Sequence, residues 1–183
     1  MNAVRFIVSS LLTLYVVTYI LRFLMQAVRA DFRNPIAQFI VRVTDPILKP
    51  LRRIIPGWRG WDLSSILVAL LLEIGAVLLL SLMVPPGMGD IGIADQIVYG
   101  IARLAVLILN VYLFLILVRV ILSWINPGTY SPVTAVIWSL TEPVMAPVRK
   151  LIRPIGGLDL SPLFLLIGIG ALRILIQLPW YLA

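Results

Sequence analysis

Five ionisable side chains lie inside long apolar runs of the sequence. They are Arg22, Glu73, Arg103, Arg119 and Arg173. A charged group within hydrocarbon is costly, and it either pairs with an opposite charge or marks a path for an ion or proton. Both interpretations stay open at this point, and we favour a structural clip between helices because paired charges inside helix bundles are commonly packing features.

Residue types that most catalytic and metal sites need are absent. The 183 residues include no Cys and no His. This excludes disulfides, thiolate and imidazole metal sites, and every Ser-His or Cys-His nucleophile pair. We therefore expect no catalytic residues, no bound metal and no cofactor.

The composition is that of a membrane protein. Hydrophobic residues make up 61% of the chain and the mean hydropathy is +1.07, whereas a soluble domain is roughly 45–50% apolar. Lys and Arg outnumber Asp and Glu by 15 to 8, a bias that suits anionic lipid headgroups. Because the basic residues flank apolar runs and form no aromatic-interleaved stripe, nucleic acid is not an expected partner.

Four apolar stretches are long enough to cross about 30 Å of hydrocarbon at ~1.5 Å per helical residue. We place these spans at residues 4–28, 64–83, 97–125 and 161–181. The first resembles a signal peptide in position, but its counterpart recurs in mid-chain, so we interpret it as a span. The sequence predicts an all-α membrane protein with four transmembrane helices.

Basic residues are concentrated in two of the three connections between these spans. The first connection carries seven Lys or Arg residues and the third carries three, whereas residues 84–96 carry none. By the positive-inside rule, both basic connectors are cytoplasmic. Both termini and the loop at residues 84–96 are then periplasmic.

The chain repeats itself at an offset of 97 residues. The aligned pairs include Arg22 with Arg119, Thr44-Asp45-Pro46 with Thr141-Glu142-Pro143, Arg52 with Arg149, and Asp62 with Asp159. Chance similarity between apolar runs would not align prolines and charges in this way. We assign residues 1–83 to the first repeat and 97–183 to the second. Each repeat holds two spans, so the copies enter the membrane in the same direction and form a parallel repeat.

Each basic connector begins with a strong helix-start signal. Asn34-Pro35 and Ser131-Pro132 place a capping side chain before a proline at the first helical position. Apolar residues then recur at i, i+3, i+4 and i+7, which is typical of an amphipathic helix. Thr44 and Thr141 are expected to cap a second short helix. The sequence therefore predicts two short amphipathic helices in each connector.

The predicted helices, within residues 34–56 and 131–154, would lie in the headgroup plane with their apolar faces down. Their other faces carry the candidates for contact with lipid or a partner: Lys49, Arg52, Arg53, Arg149, Lys150 and Arg153. Each basic residue near anionic lipid contributes on the order of 1 kcal/mol. Basic amphipathic connectors are also ordinary topology signals, so a simple membrane-surface brace is favoured over a dedicated lipid or partner site.

The repeat indicates partners for two of the charges within the spans. Arg22 and Arg119 occur in both copies and should have a partner that is also present in both. Asp62 and Asp159 precede the next span in each copy. We predict Arg22–Asp62 and Arg119–Asp159 bonds that tie together the two spans of each repeat.

Glu73 and Arg173 have no counterpart in the other repeat. Glu73 aligns with Gly170, and Arg173 aligns with Ala76. The two charges lie at similar depths along the second and fourth spans, ~17 and ~21 Å at ~1.5 Å per residue. We therefore predict a Glu73–Arg173 ion pair across the interface between the repeats.

A family signature follows the charged motifs. The second copy reads Thr141-Glu142-Pro143, then Pro147-Val148-Arg149-Lys150, then Gly157-Leu158-Asp159-Leu160-Ser161-Pro162. With its first-copy version, this string resembles the repeat of the YggT (YlmG) family over nearly the whole chain. The first copy departs from the pattern at Ser65, which replaces the proline of the second copy, and at Trp58-Arg59-Gly60-Trp61 before its aspartate.

The resemblance implies a multi-pass protein of the bacterial inner membrane, with plastid relatives and no established enzymatic activity. Such proteins are associated with osmotic-stress tolerance, with cell division or nucleoid organisation and, in plastids, with assembly of membrane cytochrome complexes. The leading hypothesis is a non-enzymatic scaffold or assembly factor whose expected contacts are anionic lipid, a membrane-protein partner or a second copy of the chain. The alternative is an oligomeric conduit for a small solute or ion, since four helices alone enclose little volume.

Overall fold

A computed structural model of the chain describes residues 3–55, 57, 60–84, 91–125, 128, 131–152, 159–176, 178 and 182. Within these residues the backbone forms helices α1 (Ala3–Ala27), α2 (Pro35–Leu51), α3 (Leu63–Leu82), α4 (Ile93–Ile125), α5 (Pro132–Leu151) and α6 (Ser161–Leu175). The order of a long helix, a connector helix and an apolar helix therefore occurs twice. The protein is all-α in its described part.

Three of these helices, α1, α3 and α4, are long and apolar enough to cross a membrane. They match the first three predicted spans, although α4 begins four residues before the predicted start, with Asp95 in its first turn. An acidic side chain there interacts favourably with the helix dipole. Helix α4 has 33 residues and is ~50 Å long, more than the ~30 Å of a hydrocarbon core.

Helix α6 is shorter than its predicted span at residues 161–181. It has 15 residues and ends at Leu175, and Ile176 has an extended backbone. A helix that continued to Pro179 would bring the proline ring against the carbonyl of Leu175 and would lose one hydrogen bond. Most of the remainder of the predicted span lies outside the described residues.

In the described part of each connector the backbone forms one long helix, so the prediction of two short helices is wrong. The caps are confirmed, because the Asn34 side chain accepts a hydrogen bond from the Ile36 amide at 2.9 Å and Ser131 forms a capping box. Thr44 and Thr141, however, do not cap new helices. Their hydroxyls donate to the carbonyls four residues earlier, each at 2.7 Å, and the helices continue through their internal prolines.

The apolar face of each connector helix is divided between the protein core and the surface. In α2, Ile40 and Leu48 are buried, whereas Phe39 is 63% exposed and Ile47 is 40% exposed. The starts of α2 and α5 meet, since the Asn34 amide group donates to the carbonyl of Pro132 at 2.7 Å. The connectors are thus packed parts of the bundle as well as amphipathic surface helices.

The main core lies where α1, α3 and α4 meet the two connector helices. Fully buried members are Tyr19 and Ile20 on α1, Ala69 on α3 and Leu140 on α5. The phenolic oxygens of Tyr19 and Tyr15 form a hydrogen bond of 2.7 Å, so the buried hydroxyl has a partner. This core holds one face of α2 and of α5 against the long helices.

Gly100 allows α4 to approach α3 closely. A Cβ atom at Gly100 would lie 2.5 Å from Ile74 Cγ1 and 3.1 Å from Ile74 Cα, well inside the usual contact distance between carbon atoms. Ile74 directly follows Glu73, and Arg103 lies about one turn after Gly100. The close crossing therefore brings Glu73 and Arg103 together.

We expect Gly100→Ala to lower stability by about 1–3 kcal/mol, because the added methyl group overpacks this crossing. Gly168→Ala on α6 is the matched control, since a Cβ there would meet no atom within 4 Å. The control should be neutral or slightly stabilising, because alanine is the better helix former. Thermal unfolding in mild detergent measures both. Equal melting temperatures for the two variants would contradict the close packing of α3 and α4.

Candidate functional site

Arg22 ties α1 to α2 in the first repeat. Its side chain is 5% exposed, and Nη1 lies 2.7 Å from Asp45 Oδ1. The same nitrogen donates to Thr44 Oγ1 at 2.6 Å and to the carbonyl of Val41 at 3.1 Å. The Thr44 hydroxyl donates in turn to the carbonyl of Ile40 on its own helix, which orients its oxygen to accept from Arg22. The guanidinium is therefore held by the negative charge of Asp45 and by this oriented acceptor.

Asp62 extends this contact to the start of α3. Its carboxylate accepts hydrogen bonds from Arg52 and from the Ser65 hydroxyl at 2.5 Å. It also caps α3 by accepting from the Ser65 amide at 3.4 Å, and Arg22 Nε lies 3.9 Å from Asp62 Oδ2. We call Arg22, Thr44, Asp45, Arg52 and Asp62 the first latch.

The second repeat contains the corresponding network. Arg119 Nη2 lies 2.6 Å from Glu142 Oε2, and Arg119 Nη1 donates to Thr141 Oγ1 at 2.7 Å. Arg149 bonds Glu142 and Asp159, each at 2.9 Å. These five residues, Arg119, Thr141, Glu142, Arg149 and Asp159, are the second latch. In addition, the Arg119 guanidinium lies 4.8 Å from the centre of the Trp138 ring, within the range of a cation–π contact.

The structure confirms the predicted contact of Arg22 and corrects that of Arg119. Arg22 forms the expected ion pair with Asp62 at 3.9 Å, although its nearer partner is Asp45 at 2.7 Å. Arg119 pairs with Glu142, and Asp159 pairs with Arg149 instead. The physical reason is that α2 and α5 pack directly on α1 and α4, so the connector acid lies nearer than the aspartate before the next helix. The sequence signal for these partners was the motif of threonine, acid and proline that occurs in both connectors.

The six basic candidates for lipid contact have different surroundings. Arg52 and Arg149 are latch residues, a role that the sequence analysis did not predict. Lys49 is 76% exposed and pairs with Asp45 at 3.1 Å. Arg53 and Lys150 are exposed and have no ion pair among the described residues, whereas Arg153 lies outside them.

The latch acids on the connector helices stay ionised at neutral pH. Burial alone would raise the pKa of Asp45, but hydrogen bonds from Arg22 and Lys49 hold this pKa below its ordinary value. The hydrogen bond from Arg119 lowers the pKa of Glu142 against the opposing effect of burial. Asp45 and Glu142 therefore carry full negative charges across the neutral range.

A cleft of about 660 Å³ lies between the long helices and α6. Its polar lining residues come from four helices: Ser9 and Thr13 from α1, Glu73 from α3, Arg103 and Asn110 from α4, and Arg173 from α6. Apolar residues such as Val106, Leu107 and Ile174 complete the lining. The cleft therefore brings three of the five charges within apolar runs to one place.

Glu73 pairs with Arg103 across this cleft, so the predicted Glu73–Arg173 pair is corrected. Arg103 Nε lies 2.8 Å from Glu73 Oε2, and Glu73 is 1% exposed. Arg103 also donates to the carbonyl of Leu182. The close crossing at Gly100 favours this partner over Arg173. Arg103 aligns with Phe6 in the other repeat. It is therefore as unmatched as Arg173, and the repeat argument should have included it as a second candidate.

A double-mutant cycle tests this assignment. Glu73→Ala and Arg103→Ala should each destabilise the protein, and the double variant should lose less than the sum, with a coupling of about 0.5–3 kcal/mol. The matched control is the cycle of Glu73→Ala with Arg173→Ala, which should be additive within about 0.5 kcal/mol. Unfolding free energies in detergent provide the readout. Stronger coupling to Arg173 than to Arg103 would restore the pair predicted from the sequence.

Comparison with known proteins identifies the family. The CCB3/YggT family model matches residues 1–83 and 98–180. A Pseudomonas aeruginosa protein named PA0392 is 41% identical over 175 residues, which cover 96% of this chain and 88% of the relative. The Escherichia coli K12 protein named YggT is 36% identical over 171 residues, which cover 91% and 85%. No solved structure matches the chain significantly. With three helices long and apolar enough to cross a bilayer, this is a membrane protein, and it belongs to the CCB3/YggT family with two tandem copies of the repeat.

Proposed function

We propose that this protein is a non-enzymatic organiser of the bacterial inner membrane, and that its two connector helices bind anionic lipid or a membrane-protein partner. The supporting observation is that each connector helix is fixed by a latch while part of its surface is left free. On α2, exposed Phe39 and Ile47 lie on the same helix as exposed Arg42 and Lys49. A rigid helix with apolar and basic exposed side chains suits the interface between headgroups and acyl chains.

The proposed topology has four spans and parallel repeats. The asymmetry in Lys and Arg favours cytoplasmic connectors and periplasmic termini. In this arrangement α1, α3 and α4 cross the bilayer as helices, and α6 with the residues after it completes the fourth crossing. Both latches then lie near the cytoplasmic surface, and the cleft lies in the other half of the membrane.

Several observations support a non-catalytic role. The absence of Cys and His removes the commonest nucleophile and base pairs. The relatives in Pseudomonas aeruginosa and Escherichia coli carry no enzymatic name. The family resemblance links such proteins to osmotic-stress tolerance and to organisation of cell division or membrane complexes. A scaffold, acting alone or as a homo-oligomer, accommodates these associations without a chemical step.

The second candidate is an oligomeric conduit for a small solute or ion. The polar cleft favours it, because Glu73, Arg103 and Asn110 face a space between helices and such residues can mark a pathway. Flux measured from liposomes containing the purified protein separates the two proposals. Robust ion or solute flux would contradict the organiser.

The lipid preference of matched variants tests the organiser directly. Arg53→Gln with Lys150→Gln removes two exposed charges, and Arg52→Gln with Arg149→Gln removes two latch charges. The exposed pair should lower the enrichment of phosphatidylglycerol over phosphatidylcholine by roughly thirtyfold, since the two charges contribute about 1 kcal/mol each, and should leave stability unchanged. The latch pair should mainly lower stability. Native mass spectrometry of protein released from mixed nanodiscs gives the enrichment.

If the Arg53→Gln, Lys150→Gln variant keeps the wild-type lipid preference, these residues act only as topology signals. The organiser proposal then requires that a membrane protein co-purifies with the chain in mild detergent through its connectors. The absence of such a partner would contradict the proposal.

A further inference from the structure

The cleft between the helices contains more positive than negative charge. Its described lining includes one carboxylate, from Glu73, and two guanidinium groups, from Arg103 and Arg173. Glu73 and Arg103 neutralise each other at 2.8 Å. Arg173 has no carboxylate within ion-pair distance among the residues that the structure describes. Among the described residues that line the cleft, one positive charge therefore lacks a compensating side chain.

The position of Arg173 makes this charge unusual. Arg173 lies twelve residues after the first residue of α6, a rise of ~18 Å, whereas a hydrocarbon core is about 30 Å thick. Helix α6 ends two residues later, and its C-terminal carbonyls offset only about half of an elementary charge. Arg173 is exposed in the isolated chain, and in a bilayer a guanidinium at this depth is costly unless an anion or water reaches it.

The remaining polar groups of the cleft can donate hydrogen bonds. The Ser9 and Thr13 hydroxyls on α1 and the Asn110 amide on α4 line the same space as Arg173. No hydrogen bond of these three side chains occurs within the described part of the chain. Hydroxyls and amide nitrogens that line the same cleft as a guanidinium can donate to an oxyanion that the cleft holds.

We propose that this cleft binds one phosphate-bearing anion, with the Arg173 guanidinium as its charged donor. Arginine matches phosphate oxygens with two parallel hydrogen bonds. The volume of about 660 Å³ exceeds what inorganic phosphate alone requires, and the apolar lining from Val106, Leu107 and Ile174 suits an attached acyl or glycerol group. The phosphate can come from a phospholipid headgroup or from free phosphate, and the chemistry of recognition is the same.

The proposed site is independent of the connector surfaces. Its lining comes from α1, α3, α4 and α6 and from residues near the C-terminus, and it includes no latch residue and no residue of α2 or α5. Loss of lipid preference at the connectors would leave it unaffected. The two sites can therefore be tested separately.

The experiment uses two probes and three variants of the full chain. Phosphatidylglycerol retention is measured by native mass spectrometry after partial delipidation, and inorganic phosphate is titrated into protein in phosphatidylcholine nanodiscs with thermal stability as the readout. Arg173→Gln removes the charge, and Arg173→Lys keeps the charge but loses the fork-shaped donor. Arg33→Gln is the control, because Arg33 is exposed and belongs neither to the cleft nor to the six candidates for lipid contact.

We expect wild-type protein and Arg33→Gln to bind at least one probe equally well, and Arg173→Gln to bind it at least tenfold more weakly. Arg173→Lys should fall between them, and it preserves the test if Arg173→Gln does not fold. Selective retention of the lipid identifies a headgroup, and stabilisation by phosphate but not by chloride identifies a free anion. Wild-type binding of neither probe, or equal binding by wild type and both Arg173 variants, would overturn the proposal.

Discussion

A guanidinium group that is removed from water must find a carboxylate, and this constraint sets the position of both connector helices. Arg22 is almost completely buried and lies 2.7 Å from Asp45. Arg119 satisfies the same requirement with Glu142 at 2.6 Å. Removing one partner from a buried pair strands the other and costs about 3–5 kcal/mol. Since Glu142 is about half exposed to solvent, the second latch should be the weaker of the two.

The latches explain why an amphipathic helix can be both a packed element and a surface. Each latch acid belongs to a connector helix, and a second arginine, Arg52 or Arg149, joins the end of that helix to the aspartate before the next apolar helix. Each latch thus joins the three consecutive helices of its repeat to one another, α1 to α3 in the first repeat and α4 to α6 in the second. The cleft differs, because Glu73, Arg103 and Arg173 have no counterparts in the other repeat. Duplicated charges support the fold, and the unduplicated ones form the candidate ligand site.

Features with local causes could be predicted from the sequence. The caps at Asn34 and Ser131 and the positions of α1 and α3 follow from a short motif or from the length of an apolar run. The hydrogen bond that Thr44 forms could not be predicted, because a threonine hydroxyl can either cap a new helix or donate to the carbonyl one turn earlier. Contact with Arg22 decides between the two. Depth and the lack of a repeat counterpart did not identify the partner of Glu73, because Arg103 and Arg173 are both unmatched. The choice between them depends on how closely α4 approaches α3 at Gly100.

The central claim is that a buried charge contact holds each connector helix against the long helix before it. Hydrogen exchange of the backbone amides of α2 and α5, measured by mass spectrometry on protein in nanodiscs, tests this claim most directly. In Arg22→Gln, exchange should rise in α2 and stay at the wild-type level in α5, while Arg119→Gln should show the reverse pattern. Exchange rates in α2 that are the same in wild type and Arg22→Gln would contradict the account.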